Sequence, residues 1–161
     1  MTTLTRRYRF SASHRLHSPV LTNSENQRLY GKCNNPYGHG HDYILEVTVA
    51  GPIDSTAGLV FERAALDRIV EQEILRVFAH RNLNLDLAEF RSLVPTTENI
   101  ALAIAQILNR SWPEYFGRST SAHLRRVHLQ ETDRNSFEVL LPVPRDPSAS
   151  ELETERVTVH A

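Results

Sequence analysis

The chain has 161 residues, of which 40% are hydrophobic and 23% are charged, as is typical of a single globular domain. A formal net charge of −1 gives no attraction to nucleic acid or to an anionic membrane, so neither is an expected partner. One cysteine excludes an internal disulfide and favours a reducing compartment. The N-terminus has no apolar run and no segment has the length of a membrane span, so we expect a cytoplasmic protein.

Two strands are predicted in the first third of the chain. Residues 4–14 and 41–51 alternate apolar and polar side chains, which is the period of a half-buried strand. His14 and His41 fall on the apolar parity of their strands. The intervening residues 15–40 are rich in turn formers and are predicted to be a long loop, a feature that usually has a function in a compact domain.

Two helices and a hairpin follow. Apolar residues spaced three and four apart predict an amphipathic helix over residues 61–78. A second helix is predicted to begin at the cap residue Thr96 and to end within residues 112–117. Residues 123–132 and 137–143 alternate again, and the four residues between them predict a turn.

The element order is therefore strand, strand, helix, helix, strand, strand (ββααββ). This order favours an α+β fold in which a four-stranded antiparallel sheet bears two helices on one face. We expect one domain over residues 1–143, followed by a polar, acidic and partly mobile tail over residues 144–161.

Residues 31–43 concentrate metal-ligand and nucleophile types. They contain the only lysine, Lys32, the only cysteine, Cys33, and the histidines His39 and His41. We expect a bend at the intervening glycine to let these two histidines converge on one ion, with His14 of the neighbouring strand as the third ligand. Three protein ligands with an open fourth position are how catalytic zinc is held.

The role of Cys33 has three interpretations: a fourth zinc ligand, a small buried apolar residue, or a nucleophile or base. The polar Asn-Asn-Pro that follows argues against core packing. Lys32 is expected to favour the thiolate, which is the reactive form. We favour a reactive thiol, because the segment between Cys33 and His39 is long.

Two further residues have both a functional and an ordinary interpretation. His80 follows a predicted helix end, where the helix dipole favours an imidazolium or where the side chain simply caps the helix. Glu131 ends a strand, where a carboxylate either accepts paired hydrogen bonds from an amidine-like N–H edge or is a solvated turn residue.

With these residues in view, the chain resembles the 6-pyruvoyltetrahydropterin synthase family, which includes the 6-carboxytetrahydropterin synthases. The resemblance covers roughly residues 8–141. The matching segments are 10–16 (Phe-Ser-Ala-Ser-His-Arg-Leu), 31–43 (Gly-Lys-Cys-Asn-Asn-Pro-Tyr-Gly-His-Gly-His-Asp-Tyr), 80–84 (His-Arg-Asn-Leu-Asn), 96–99 (Thr-Thr-Glu-Asn) and 131–133 (Glu-Thr-Asp). The Cys-Asn-Asn-Pro form looks more like the pyruvoyl synthases than the carboxy branch.

The resemblance implies a tunnelling fold, in which three subunits join their sheets into a barrel and two trimers stack as a homohexamer with active sites between subunits. It implies Zn²⁺ on His14, His39 and His41. It also implies a pterin anchored by Glu131, with Thr96 or Thr97 nearby.

The implied reaction converts 7,8-dihydroneopterin triphosphate to 6-pyruvoyltetrahydropterin with elimination of triphosphate and no external redox cofactor. In it, Cys33 would be the general base and His80 its partner in a proton relay. Arg15 and Lys32 are candidates for binding the triphosphate.

The chain departs from the family pattern at Ala79, where an aspartate normally precedes the relay histidine. Another acid could substitute, either Asp86 or one from a neighbouring subunit. Otherwise the chain is slow, or its reaction is shifted. The alternatives are 6-carboxytetrahydropterin synthesis, cleavage of the dihydroneopterin side chain, and a zinc- or pterin-binding protein with little turnover.

Overall fold

The computed structural model of the protein describes residues 1–117 and 120–143, so the predicted acidic tail lies outside the described residues. A four-stranded antiparallel sheet forms its centre, with the strand order β1-β2-β3-β4. The strands are β1 (Thr2–His14), β2 (His39–Gly51), β3 (His123–Thr132) and β4 (Asn135–Leu140). The predicted α+β fold with this sheet is confirmed.

The helices connect the strands and cover one face of the sheet. They are α1 (Asn23–Tyr30), α2 (Arg63–Val70), α3 (Arg76–Phe78), α4 (Leu83–Asp86) and α5 (Thr97–Phe116), with a π-helical turn (Glu71–Leu75) joining α2 to α3 and 3₁₀ turns at Gly31–Asn34 and Ala88–Phe90. The helix predicted over residues 61–78 therefore exists, although its middle turn is wider than an α-helix.

The inner face of the sheet packs against α2 and α5, because apolar side chains recur at every second residue of each strand. Its buried members are Phe10, Ala12, Tyr43, Leu45, Val47, Val49, Leu124, Val127 and Leu129. The helices add Leu66, Ile69, Ile74, Ile100, Ile104 and Leu108 to the same core. His14 and His41 share this inner parity, so the strand period directs both imidazoles toward the helix side of the sheet.

The outer face of the sheet is polar and has no helix over it within the described residues. The Arg126 guanidinium donates to Glu46 Oε2 at 3.0 Å and to Glu138 Oε2 at 3.2 Å, which links three neighbouring strands. The hydroxyls of Thr5 and Thr48 lie 2.9 Å apart between β1 and β2. This face is therefore suited to water rather than to burial in a hydrophobic core.

The prediction of a structureless loop over residues 15–40 is wrong, because α1 and the Gly31–Asn34 turn lie within it. A capping box starts α1: Thr22 Oγ1 accepts the Glu25 backbone N–H, and the Glu25 carboxylate accepts the Thr22 backbone N–H. The side chain of Asn26 is fully buried and accepts the Ser18 backbone N–H at 2.7 Å. Turn-forming residues here serve as a cap and an anchor for a helix.

Two element boundaries also differ from the prediction. β4 covers Asn135–Leu140 rather than residues 137–143, because Thr132 pairs directly with Asn135 and leaves a two-residue turn. The cap at Thr96 is confirmed, and α5 continues through Pro113 to Phe116 before Gly117 ends it with φ +73°. Within the described residues, no helix is long and apolar enough to cross a membrane.

A candidate metal centre at the end of the sheet

Three histidines converge where β1 ends and β2 begins. His14 is the last residue of β1 and pairs across the sheet with His39, the first residue of β2. His41 lies two residues further along β2 on the same face. One ring nitrogen from each of the three lies within 4.8 Å of the others. The predicted triad is therefore assembled in the structure.

The prediction that a bend at Gly40 brings His39 and His41 together is wrong. Gly40 lies in regular strand and is not among the glycines with positive φ, so no bend at Gly40 brings the two imidazoles together. His39 and His41 converge because residues i and i+2 of a strand share a face. The strained position is Gly38, with φ +70°, where an added Cβ would lie 2.8 Å from the carbonyl oxygen of His14.

The ring of His14 is held in one protonation state. Its Nδ1–H donates to the Pro95 carbonyl oxygen at 2.8 Å, so Nε2 is left with the free lone pair. This Nε2 lies 3.2 Å from Nε2 of His39. Burial lowers the pKa of His14 to about 4 despite the bond to Pro95, so the imidazole is neutral at pH 7.

The chemistry of the donor set fits a bound cation. Burial and the neighbouring His41 lower the pKa of His39, which favours the neutral ring that coordinates metals. The buried ring nitrogens His39 Nδ1 and His41 Nε2 have no hydrogen-bond partner. The Nε2 atoms of His14 and His39 are 3.2 Å apart, and the ring of His41 is close by. Nitrogen lone pairs at this distance are expected where a bound ion lies between them. The residues present therefore suit a metal with nitrogen ligands.

Glu131 lies beside this triad in the same chain. Its Oε1 is 3.6 Å from Nε2 of His14 and 3.7 Å from Nε2 of His41, and only 11% of the side chain is exposed. Its Oε2 accepts a hydrogen bond from Nδ2 of Asn135 at 2.8 Å. Glu131 is therefore no solvated turn residue, since its negative charge faces the metal position.

Cys33 lies in the 3₁₀ turn Gly31–Asn34, where its carbonyl accepts the Leu16 backbone N–H at 2.8 Å. The thiol is half-buried and does not belong to the cluster of possible metal ligands among the described residues. Burial and the negative charge of Glu131 raise the pKa of Cys33, so the expectation that Lys32 favours the thiolate is wrong for the metal-free chain. A cation in the triad would act in the opposite direction.

The N-terminus of α5 lies against the triad through Pro95. Thr96 Oγ1 accepts the Asn99 backbone N–H at 3.3 Å, so this hydroxyl caps the helix. The next residue, Thr97, is only 3% exposed. These two threonines thus lie one and two residues from the carbonyl that fixes the ring of His14.

His80 lies elsewhere, in a cavity of about 590 Å³. This cavity is lined on β1 and β2 by Ser11, Ser13 and Asp42, which have outer-face parity, whereas Cys33 is near Glu131 on the inner side. Within the described residues, no recorded contact joins His80 to Cys33. One chain alone does not bring the predicted relay pair together.

Tyr43 is a residue whose place at the site the sequence analysis missed. It is fully buried, its ring centroid is 5.7 Å from that of His41, and its hydroxyl has no hydrogen-bond partner. Burial, with smaller effects from Glu131 and Cys33, raises its pKa, so the hydroxyl stays protonated. The sequence signal was that Tyr43 lies on the same strand face as His41. This placement was interpreted only as evidence that Tyr43 packs in the core.

The chain is similar to known proteins over most of its length. The family model of 6-pyruvoyl tetrahydropterin synthase matches residues 3–141. The chain is 48% identical over 143 residues to 6-pyruvoyl tetrahydrobiopterin synthase of Drosophila melanogaster, covering 88% of this chain and 80% of that one. It is 43% identical over 132 residues to the Homo sapiens enzyme of that name, covering 82% and 86% respectively.

A solved structure extends the agreement to three dimensions. Caenorhabditis elegans 6-pyruvoyl tetrahydropterin synthase superposes with a TM-score of 0.78 at 35% identity, covering 88% of this chain and 96% of that one. The family model's match over residues 3–141 includes all three histidines of the triad. The chain therefore belongs to the 6-pyruvoyl tetrahydropterin synthase family.

Proposed function

We propose that the protein is a zinc-dependent lyase that converts 7,8-dihydroneopterin triphosphate to 6-pyruvoyltetrahydropterin and triphosphate. The observation that carries this proposal is the histidine triad with Glu131 beside it and the half-buried thiol of Cys33 near that carboxylate, in a chain of this family. The name shared by the human and Drosophila relatives, 6-pyruvoyl tetrahydrobiopterin synthase, supports the product.

The metal would be held by His14, His39 and His41, whose neutral nitrogen donors suit Zn²⁺. When bound, it would supply Lewis-acid polarisation of the substrate's side-chain hydroxyls and so make the adjacent C–H more acidic. Glu131 balances the cation, and Pro95 keeps the ring of His14 in the tautomer that presents Nε2.

Cys33 is the proposed general base. Its thiolate takes a proton from a side-chain carbon of the substrate, and the C–H electron pair forms a carbon–carbon double bond as the C–O bond to triphosphate breaks. Triphosphate leaves with the C–O electron pair. The enol left by the elimination tautomerises to the first ketone. His80 passes protons between the side chain and the pterin ring, so that the carbinol next to the ring is oxidised to the second ketone while the C=N bond of the dihydropterin ring is reduced to the tetrahydro level, and no external oxidant is needed.

Substrate recognition is assigned to two regions. Glu131, with Thr96 or Thr97, is the proposed anchor of the pterin ring. Glu131 lies against the triad, and the two threonines follow Pro95, whose carbonyl accepts the ring N–H of His14. For the triphosphate we propose the groove beside His39, where the cations are Lys32, Arg15 and Arg28. No carboxylate is among the described residues that line this groove, which suits a polyanion.

We propose that the complete site forms between subunits of a homohexamer built as a dimer of trimers. The strands β1 and β4 end the sheet on either side, and each leaves one edge without a partner strand among the described residues. In the proposed assembly, His80 of one copy would lie beside Cys33 of the next. A cytoplasmic location fits the thiol, which must stay reduced to act as a base.

Product analysis tests this function. The purified, zinc-loaded protein is incubated with 7,8-dihydroneopterin triphosphate under anaerobic conditions, and the pterin products and released phosphates are identified by mass spectrometry. We expect 6-pyruvoyltetrahydropterin and intact triphosphate. Release of glycolaldehyde or acetaldehyde would instead identify side-chain cleavage or carboxytetrahydropterin synthesis, and tight pterin binding without product would leave a binding protein.

A further inference from the structure

The segment that holds His80 is fixed to the edge of β1. The backbone N–H of His80 donates to the Ser11 carbonyl at 2.6 Å, and the Ser13 N–H donates to the Arg81 carbonyl at 2.9 Å. Ser13 also forms a parallel bridge with Asn82. His80 adopts φ +61°, an uncommon conformation for a residue other than glycine. The side chain is exposed, yet its backbone is held in place.

A histidine that carries protons needs an acceptor to orient its ring, and the preceding residue, Ala79, has none. The cavity around His80 contains two carboxylates, Asp42 and Asp86. The other polar side chains that line it belong to Ser11, Ser13, His41, Arg81 and Asn82. Among the described residues of this chain that line the cavity, the choice of acceptor therefore lies between Asp42 and Asp86.

Asp42 is the better placed of the two. It pairs in register with Ser11, whose hydroxyl donates to Asp42 Oδ1 at 2.5 Å. Ser11 thus holds His80 through its carbonyl and Asp42 through its hydroxyl. Asp42 also lies within the long strand β2, and a strand holds a carboxylate more rigidly than a loop does.

Asp86 already has a structural task. Its Oδ2 accepts the Asn82 backbone N–H at 2.8 Å, which closes the single turn of α4. Its side chain lies at the exposed end of that short helix. A carboxylate that closes a turn is less available to a neighbouring imidazole.

We propose that Asp42 is the positioning residue for His80: its carboxylate orients the imidazole and balances the positive charge that the ring gains when it takes up a proton. The proposal rests on the proposed function of His80 as a proton carrier. It assigns to β2 the carboxylate that Ala79 does not supply.

The test compares Asp42→Asn, the matched control Asp86→Asn, and the double variant Asp42→Asn/Ala79→Asp, all as zinc-loaded full-length protein. We expect Asp42→Asn to lower kcat by about 10- to 100-fold with KM and zinc content unchanged. Asp86→Asn should stay within about twofold of wild type. The double variant should recover most of the lost kcat, which a merely structural role of Asp42 does not predict.

Three outcomes would overturn the proposal: wild-type kcat in Asp42→Asn, an equal loss in Asp86→Asn, or a loss in Asp42→Asn that accompanies lost zinc and is not repaired by Ala79→Asp. If Asp42→Asn does not fold, Ser11→Ala leaves the carboxylate in place but removes its hydroxyl donor. It should lower kcat about 2- to 10-fold, and wild-type kcat would count against the proposal. Inactive wild-type protein would overturn the proposed function itself.

Discussion

At the scale of single residues, the metal ligands and the proposed general base are different side chains. Because Cys33 lies outside the cluster of possible ligands, the Cys33→Ala variant should keep one zinc per chain. Loss of a general base should reduce kcat by about 10²- to 10⁴-fold. Zinc content by elemental analysis, measured on the same sample as kcat, checks this. Zinc lost together with activity would make Cys33 a ligand instead.

The cationic groove gives a second prediction at this scale. Arg28→Ala should raise KM for the triphosphate substrate about tenfold and leave kcat nearly unchanged. The reason is that Arg28 is proposed to bind the triphosphate and takes no part in the proton transfer. Arg91 is exposed and lies in another segment, so Arg91→Ala is the matched control. An unchanged KM in Arg28→Ala would remove this residue from the triphosphate site.

Among residues, the triad was predicted from the spacing of His39 and His41 and from His14 on the neighbouring strand, but the predicted reason was wrong. His39 was assigned to the loop over residues 15–40, whereas it begins β2 and shares a strand face with His41. The sequence was not sufficient for the pKa of Cys33, which depends on its burial and on Glu131, a residue nearly one hundred positions away. The orphan hydroxyl of Tyr43 was equally beyond prediction, because a tyrosine in an apolar row is usually a core residue.

At the scale of elements, the turn before β2 positions the metal ligands. Gly38→Ala should destabilise the protein by about 2 kcal/mol or more, because the residue has positive φ and the new methyl group meets the His14 carbonyl. The same clash displaces His14 from His39, so zinc affinity should fall as well. Thermal or urea unfolding and zinc titration measure the two effects.

Gly40→Ala is the matched control for this turn. At Gly40 an added Cβ would have only an ordinary contact at 3.7 Å with the Ala12 carbonyl oxygen, and the backbone is regular strand. Both zinc affinity and stability should stay close to wild type. Equal damage in the two variants would mean that Gly38 has no special role in positioning the triad.

The strands and long helices were predictable because their apolar pattern repeats regularly over many residues. The helix α1 was missed, because Thr22 and Asn26 are common in turns and were interpreted as loop residues. The spacing of Thr22 and Glu25 was nevertheless the local pattern of a capping box. The π-helical turn between α2 and α3 was also missed, because the apolar spacing across it is that of one continuous helix.

At the scale of the whole molecule, a site shared between subunits predicts complementation. Cys33→Ala and His80→Ala chains, each inactive alone, should regain activity when co-expressed in one oligomer. With random assembly, about a quarter of sites receive an intact thiol from one chain and an intact imidazole from its neighbour. Steady-state kcat of the mixed oligomer checks this, and no recovery would place both residues in one chain's site.

The oligomer depends on contacts between chains, which neither the sequence pattern nor the structure of one chain contains. Within the described residues, β1 and β4 each have an edge without a partner strand, although residues 80–82 bond to Ser11 and Ser13 on the edge of β1. A second copy of the chain could pair with the rest of these edges. Sedimentation and a structure of the assembly address that question.

The most direct test of the whole account is turnover as a function of metal content. Apoprotein prepared with a chelator is titrated with Zn²⁺ while triphosphate release and pterin product are followed together. We predict that both rise linearly to a plateau at one zinc per chain, with one triphosphate released per 6-pyruvoyltetrahydropterin formed. Turnover that persists in the apoprotein, or triphosphate release without that pterin product, would contradict the account.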